Sequence, residues 1–264
     1  MANLASKKAP YDRARFYTIN GRELPSVTTI LDVLDKPALM WWAANMERRA
    51  METALLDVLA SPGAKNPEWV LGEMAKKLTG AKAFLREQDK AKTIGAATHA
   101  WIEWRTRQIL GQKVTAEPVI PDAAMVAVES WKDWAAEVNF TPICAERTIY
   151  CVTCGYAGTL DWIAKVRGVM TLGDLKTGKA VYPESYLQNI AYRHAAAKGG
   201  LKTDQGLILR LPKTLDDPAF ESAPVPEIPL DDFLAVKRAW QWKRRMEGQK
   251  IGGREAPARS TSAP

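Results

Sequence analysis

Histidine and cysteine are scarce in this 264-residue chain, with two of the former and three of the latter. An odd count of thiols, Cys144, Cys151 and Cys154, argues against a disulfide framework. Cys151-x-x-Cys154 has the spacing of half a zinc or iron–sulfur site, but the chain has no second such pair. With one of the two histidines assigned to a different site below, these cysteines are expected to be plain thiols on a strand and turn. No apolar run approaches the roughly 20 residues of a membrane span. The first residues, MANLASKKAP, lack the apolar core of a signal peptide. No G-x-x-x-x-G-K-[ST] loop occurs, so no helicase motor is visible. These absences lead to the expectation of a cytoplasmic protein with no membrane partner.

What is present is the mix of a globular domain: 47% hydrophobic and 25% charged residues. The length allows one sizeable domain or two small ones. The net charge is +7, which suits a polyanion such as nucleic acid, although many basic proteins bind none.

Apolar spacing near 3.6 predicts a largely helical first half. Phe16–Ile19 reads as a strand, and Asn20-Gly21 as a hairpin turn. Ser26 is placed to cap a helix over 27–34. Helices are expected over 39–59, 67–79, 82–110 (with an irregularity at Gly95) and 122–138. The period then switches to 2. Strands over 148–152, 156–166 and 169–175, joined by tight turns, read as an antiparallel meander. A helix over 183–198, a strand over 205–211, a short strand over 219–225 and a helix over 231–247 complete the pattern. The expected class is α+β, a small mostly antiparallel sheet flanked by helices. Residues 1–15 and 248–264 read as flexible ends around a single domain over 16–247, helical to 140 and sheet-containing from 141.

The chemistry gathers in the meander and the helix after it. Along a strand, residues i and i+2 share a face, so Asp174 and Lys176 point the same way. Hairpin pairing can bring Asp161 beside Asp174. Two facing carboxylates repel unless a cation sits between them, and hard oxygen ligands favour Mg²⁺ or Mn²⁺. Lys176 would hold or help deprotonate a water, or neutralise a phosphate. Gln188 and Tyr192 are four apart and share a helix face. Taken alone, an Asp-x-Lys is more often a solvated surface pair.

Three motifs together change that reading: Gly158-Thr159-Leu160-Asp161, Asp174-Leu175-Lys176-Thr177-Gly178 and Gln188-x-x-x-Tyr192. They resemble the PD-(D/E)XK nuclease superfamily, in particular its RecB-like exonuclease branch. That branch includes phage and CRISPR-associated exonucleases and the mitochondrial genome maintenance exonuclease. The resemblance runs over roughly residues 20–210 and is densest at 146–195. It implies a restriction-endonuclease-like core and a metal-dependent DNA exonuclease. The metal would be held by His99, Asp161, Asp174 and the Leu175 carbonyl. Lys176 would serve the nucleophile, with Gln188 and Tyr192 orienting Lys176 or the DNA strand. Glu146 matches an acidic residue on the first core strand. Glu103, one turn from His99, would orient it or simply be solvated.

Ser26 and Thr28 match a Ser/Thr-rich opening segment that could contact phosphate or only cap a helix. Thr177 and Lys179 are further candidates for contact with nucleic acid. Relatives with an iron–sulfur cluster carry four cysteines; this chain has none after Cys154, so no cluster is expected. The resemblance points to DNA, single-stranded or at ends, as the partner. It fits phage or bacterial recombination and repair in a host cytoplasm, with a recombination or single-strand-binding protein as a further partner. A helical arch from the first half would restrict entry to a DNA end. A structure-specific endonuclease and a catalytically retired nucleic-acid-binding protein are the alternatives.

The close tryptophan pairs 41/42, 101/104, 131/134 and 240/242 could stack on bases or pack the core. Lys237, Arg238, Lys243, Arg244 and Arg245 form a basic stretch that would follow a DNA backbone or be solvated. His194, two residues past Tyr192, is expected to be structural.

Overall fold

The computed structural model describes residues 14–79 and 82–251, so the expectation of flexible ends lies almost wholly outside the described residues. A two-stranded hairpin opens the fold, β1 (Phe16–Ile19) against β2 (Arg22–Pro25). Its turn takes Asn20 and Gly21 at φ 49° and 74°, a left-handed pair that Asn-Gly supplies at little cost. Then come five helices: α1 (Val27–Leu31), α2 (Pro37–Leu59), α3 (Pro67–Lys77), α4 (Ala83–Ile109) and α5 (Asp122–Glu137). α1 ends at Leu31, shorter than its predicted span. α4 runs unbroken through Gly95.

The second half is a five-stranded sheet in the order β3 (Thr141–Cys151), β4 (Tyr156–Val166), β5 (Val169–Lys176), β6 (Gln205–Arg210), β7 (Glu221–Pro224). The three-strand meander is antiparallel, and β6 pairs with β7 antiparallel. β6 lies parallel to β5, because the crossover helix α6 (Pro183–Lys198) returns the chain to the start of the sheet. α7 (Leu230–Ile251) closes the fold. The architecture is α+β with a mostly antiparallel sheet between helices, as the sequence pattern predicts. β3 begins seven residues earlier than expected; its first half has a register shift between Pro142 and Cys144 that blurs the alternation.

The sheet is buried on both faces, as a layered α+β fold requires. On one face Val27, Ile30, Ile163, Leu172, Ala191, Ala195 and Phe233 join α1, α6 and α7 to the strands. On the other, Trp101, Trp131, Trp134, Trp162 and Leu209 join α4 and α5 to it. Trp134 and Phe140 pack against Trp162 at ring-centroid distances of 5.8 and 5.1 Å. Replacing Trp162 by Ala would cost about 3–5 kcal/mol, the usual range for a core tryptophan. Four tryptophans therefore serve the core, whereas Trp41 and Trp242 are exposed. No helix among the described residues is long and apolar enough to cross a membrane.

Candidate active site

β4 and β5 pair as far as Trp162 with Gly173. The next residues in that register are Asp161 and Asp174, so the two carboxylates stand directly across from one another. On the other flank of β4, Ala145 pairs with Trp162 and Arg147 with Leu160, which sets Glu146 level with Asp161. Three acidic residues thus lie in one row across β3, β4 and β5. Glu146 adopts φ 45°, a departure from strand geometry at that point.

Asp161 accepts from the Leu175 backbone N–H at 2.6 Å through Oδ2. Its Oδ1 faces Nδ1 of His99 on α4 at 3.6 Å. Asp174 is 2% exposed. Its Oδ1 accepts from Gln188 Nε2 at 2.7 Å, and its Oδ2 lies 2.6 Å from the Lys176 ammonium. Lys176 in turn donates to Gln188 Oε1 at 3.0 Å. Asp174, Lys176 and Gln188 therefore close a ring in which each touches the other two. The helix α6 supplies one corner and the end of β5 the other two.

Two close approaches bring the helices this near. A Cβ on Gly158 would lie 2.4 Å from Tyr192 Cε1, so the tyrosine ring rests directly on the β4 backbone. A Cβ on Gly95 would lie 2.7 Å from Thr177 Oγ1, so α4 crosses tightly over the end of β5. A side chain at Gly158 would press on the Tyr192 ring and so on α6, whereas one at Gly95 would first displace the Thr177 hydroxyl.

The electrostatics follow from this crowding. Burial pulls the His99 pKa down, but the charge and hydrogen-bonding of Asp161 outweigh it and the net shift is upward. Asp161 is held below the ordinary carboxylate value: burial opposes its charge, and His99 and Lys176 overcome that. Asp174 is raised, because burial and the neighbouring Asp161 charge exceed what Lys176 returns. Glu146 is pushed up to about 7 by burial, Asp161 and Glu103. Tyr192 is raised by burial and by Asp174 and Asp161, and stays a neutral phenol.

The donors fit a hard divalent cation. Asp174 Oδ2 is buried with no conventional hydrogen bond; the Lys176 ammonium at 2.6 Å is its main compensation, with a smaller contribution from His99. In a strand the N–H and C=O of one residue point to the same side, so the Leu175 carbonyl opens toward Asp161 as its N–H does. Asp161 and His99 face each other at 3.6 Å, while the Asp174 oxygens are turned to Gln188 and Lys176, so a cation at the end of the β4–β5 pairing would draw Asp174 toward the other two.

The remaining candidates separate. Glu103 pairs with Arg107 Nε at 2.8 Å and bears on Glu146, so it is occupied on its own helix. Ser26 is fully buried; its Oγ accepts from Thr29 N at 3.0 Å and bonds the Thr28 and Thr29 hydroxyls. It is a cap, with no surface to offer a phosphate. Thr28 and Lys179 are exposed. The role of Glu146 was legible only as an acidic residue on the first strand; its alignment with Asp161 depends on a pairing across the fourteen intervening residues of strand and turn. His194 meets Tyr156 and the Cys151–Cys154 turn, which neither periodicity nor spacing revealed.

The fold and site define an α+β protein with opposed carboxylates, a lysine and a glutamine at the end of its central strands. No protein-family model matches the chain, and no curated protein does. Among solved structures, a provisionally named exonuclease from Eubacterium rectale aligns over 71% of this chain and 75% of its own, at 11% identity and a TM-score of 0.38. SSO0001 aligns over 47% of this chain and 61% of its own length, at 13% identity and a TM-score of 0.29. These scores are too low to carry an argument about chemistry, which stands on the site's own residues.

Proposed function

We propose that the protein is a divalent-metal-dependent DNA exonuclease that hydrolyses phosphodiester bonds at single-stranded DNA or DNA ends. The observation that carries this reading is the ring of Asp174, Lys176 and Gln188 set across from Asp161. Asp161, Asp174, His99 and the Leu175 carbonyl would hold the cation. When bound, Mg²⁺ or Mn²⁺ would polarise a phosphate oxygen and acidify a water. With the cation compensating Asp174, the Lys176 ammonium would be available to the water or to charge on the phosphate. Gln188, which bonds both Asp174 and Lys176, would keep the two side chains in position.

The surroundings suit a polyanion. The chain carries a net +7. A cleft of about 540 Å³ opens beside the start of α6; its lining is mostly apolar (Leu34, Leu39, Tyr182, Leu187) with Asp35, Glu184 and Lys36, so what it offers a nucleic acid is a stacking surface and no excess of positive charge. Tyr182 is partly exposed there and offers a face on which a base can stack. Thr28, Thr177 and Lys179 are the contacts we assign to the DNA backbone. A role in phage or bacterial recombination or repair, with a recombination or single-strand-binding partner, would follow.

The test is direct. End-labelled linear single- and double-stranded DNA, and a single-stranded circle, are incubated with Mg²⁺ or Mn²⁺ and wild type, Lys176→Ala or Asp174→Ala. Linear DNA should be degraded by wild type only and the circle left uncut. Cutting of the circle would make the enzyme an endonuclease on the same chemistry. No degradation with either metal, or equal degradation by the variants, would overturn the reading.

A further inference from the structure

A second cluster of ligating groups lies on the same sheet at the β3–β4 turn, away from the carboxylates. Cys151 ends β3, and Cys151-Val152-Thr153-Cys154-Gly155 forms the turn. The Cys154 N–H donates to Cys151 Sγ at 3.3 Å, and the Gly155 N–H to the Cys151 carbonyl at 2.8 Å. Gly155 takes φ 70°, which lets the chain reverse with both sulfurs on one side. His194 reaches the turn from α6. The two sulfurs and an imidazole nitrogen all lie within 4.8 Å of one another. All three thiols of the chain, these two included, are free.

We propose that Cys151, Cys154 and His194 bind a Zn²⁺ ion, with water in the fourth position. Two soft thiolates and an imidazole are the donor set that selects zinc over the hard cations of the carboxylate site. A tetrahedral zinc with bonds of about 2.3 Å to sulfur and about 2.0 Å to nitrogen sets donor–donor edges near 3.5–3.8 Å. The donors, none more than 4.8 Å apart, reach that by a contraction of no more than about 1 Å.

The histidine is already oriented for the task. The Tyr156 hydroxyl donates to the Ala191 carbonyl at 3.0 Å and contacts His194 Nδ1 at 2.8 Å. A hydroxyl has one proton, so with it committed to Ala191 the oxygen accepts from Nδ1–H. Nε2 is left with the lone pair, the arrangement by which an outer hydrogen bond fixes a ligating histidine. Burial and Lys198 also keep His194 below its ordinary pKa, hence neutral. Burial opposes ionisation of both thiols; bonds from Cys154 and Thr153 bring Cys151 below its ordinary value while Cys154 is raised, so Cys151 ionises first and the metal would deprotonate Cys154. The two thiolates would neutralise the ion, so neighbouring Lys198 and Lys237 need not be displaced.

The consequence is mechanical. The ion would clip the β3–β4 hairpin to α6, the helix that carries Gln188 and Tyr192. The proposal does not depend on the nuclease reading, because its readout is metal content and spectrum.

The full chain, purified reduced, is assayed for zinc by mass spectrometry and then loaded with Co²⁺. Wild type should hold one zinc per chain, and its cobalt form should show the intense sulfur-to-metal band and the visible bands of a tetrahedral site. Cys154→Ser and His194→Ala should each weaken binding by about tenfold or more. Asp174→Asn should keep the zinc, which separates this ion from the carboxylate site. The wild-type cobalt spectrum needs no variant to fold. The proposal is overturned if reduced wild type takes up no stoichiometric zinc, if the cobalt spectrum lacks the sulfur band, or if Cys154→Ser binds as tightly as wild type. A Cys151–Cys154 disulfide whose reduction brings no metal uptake overturns it equally.

Discussion

Gln188 donates from Nε2 to Oδ1 of Asp174 at 2.7 Å, so an amide on a helix fixes a carboxylate on a strand. The same amide accepts from Lys176 at its oxygen. Replacing it by Glu keeps the acceptor but turns the donor into a second anion against a buried carboxylate. Gln188→Glu should lower kcat by about tenfold to a hundredfold, since misplacing a reacting group by 1 Å can cost that much. Gln188→Ala should fall between it and wild type, because it removes the orientation without adding the charge. KM for DNA should change less than kcat in both. Steady-state rates on a labelled strand decide this; a change confined to KM would make Gln188 a substrate contact instead.

The Tyr192 ring on Gly158 makes a second expectation about helix placement. Gly158→Ala puts a methyl 2.4 Å from Cε1 of a buried ring. The variant should lose about 1–3 kcal/mol, the usual cost of overpacking a dense core. Tyr192→Leu removes the obstructing ring, so the double variant should be destabilised by less than the sum of the two singles. Urea unfolding of all four proteins supplies the cycle, and strict additivity would show that the two residues do not press on each other.

Glu146 gives a pH-dependent stability difference whose sign is fixed. Its folded pKa of about 7 stands above the 4.5 of an ordinary glutamate. The native state therefore keeps a proton that the unfolded chain releases, and stability falls as pH rises from 4.5 through 7. Glu146→Gln removes this loss. In EDTA the variant should match or trail wild type at pH 4.5 and exceed it by about 1 kcal/mol at pH 8, a figure reduced for solvent screening at a half-buried group. Denaturant melts at the two pH values test it, and parallel pH dependence in both proteins would rule it out.

Much of this site could be read from the chain because its pieces are local. The i, i+2 rule sets Asp174 and Lys176 on one face, and the Arg167-Gly168 turn fixes the register that opposes Asp161 to Asp174. The i, i+4 rule puts Gln188 and Tyr192 on one face of α6 but not what each meets there. Gln188 closes the ring with Asp174 and Lys176, whereas the Tyr192 ring packs on Gly158. What separates them is the angle at which the helix crosses the sheet, a tertiary quantity. Ser26 shows the same limit: its capping role is local and legible, but its burial under the β1–β2 hairpin and against β4 is not. The meeting of His194 with Cys151 and Cys154 joins segments about forty residues apart and left no periodic trace.

The two histidines of the chain should titrate on opposite sides of 6.5, His99 above it and His194 below it. For His99 the raised folded pKa means that its pairing with Asp161 stabilises the metal-free protein fully below pH 6.5. That contribution is lost as pH rises through the folded value. His99→Gln should therefore destabilise the metal-free protein at pH 6 and leave it nearly unchanged at high pH. A cation held by Asp161 and His99 reverses the balance, because an imidazole ligates only when neutral. Saturating Mg²⁺ should move the His99 titration downward and leave His194 where it was. Imidazole proton and nitrogen resonances, assigned with His99→Gln and His194→Ala, follow both groups in one experiment. A His99 curve unmoved by Mg²⁺ would remove it from the metal shell and leave Asp161 and Asp174 to hold the ion with the Leu175 carbonyl alone.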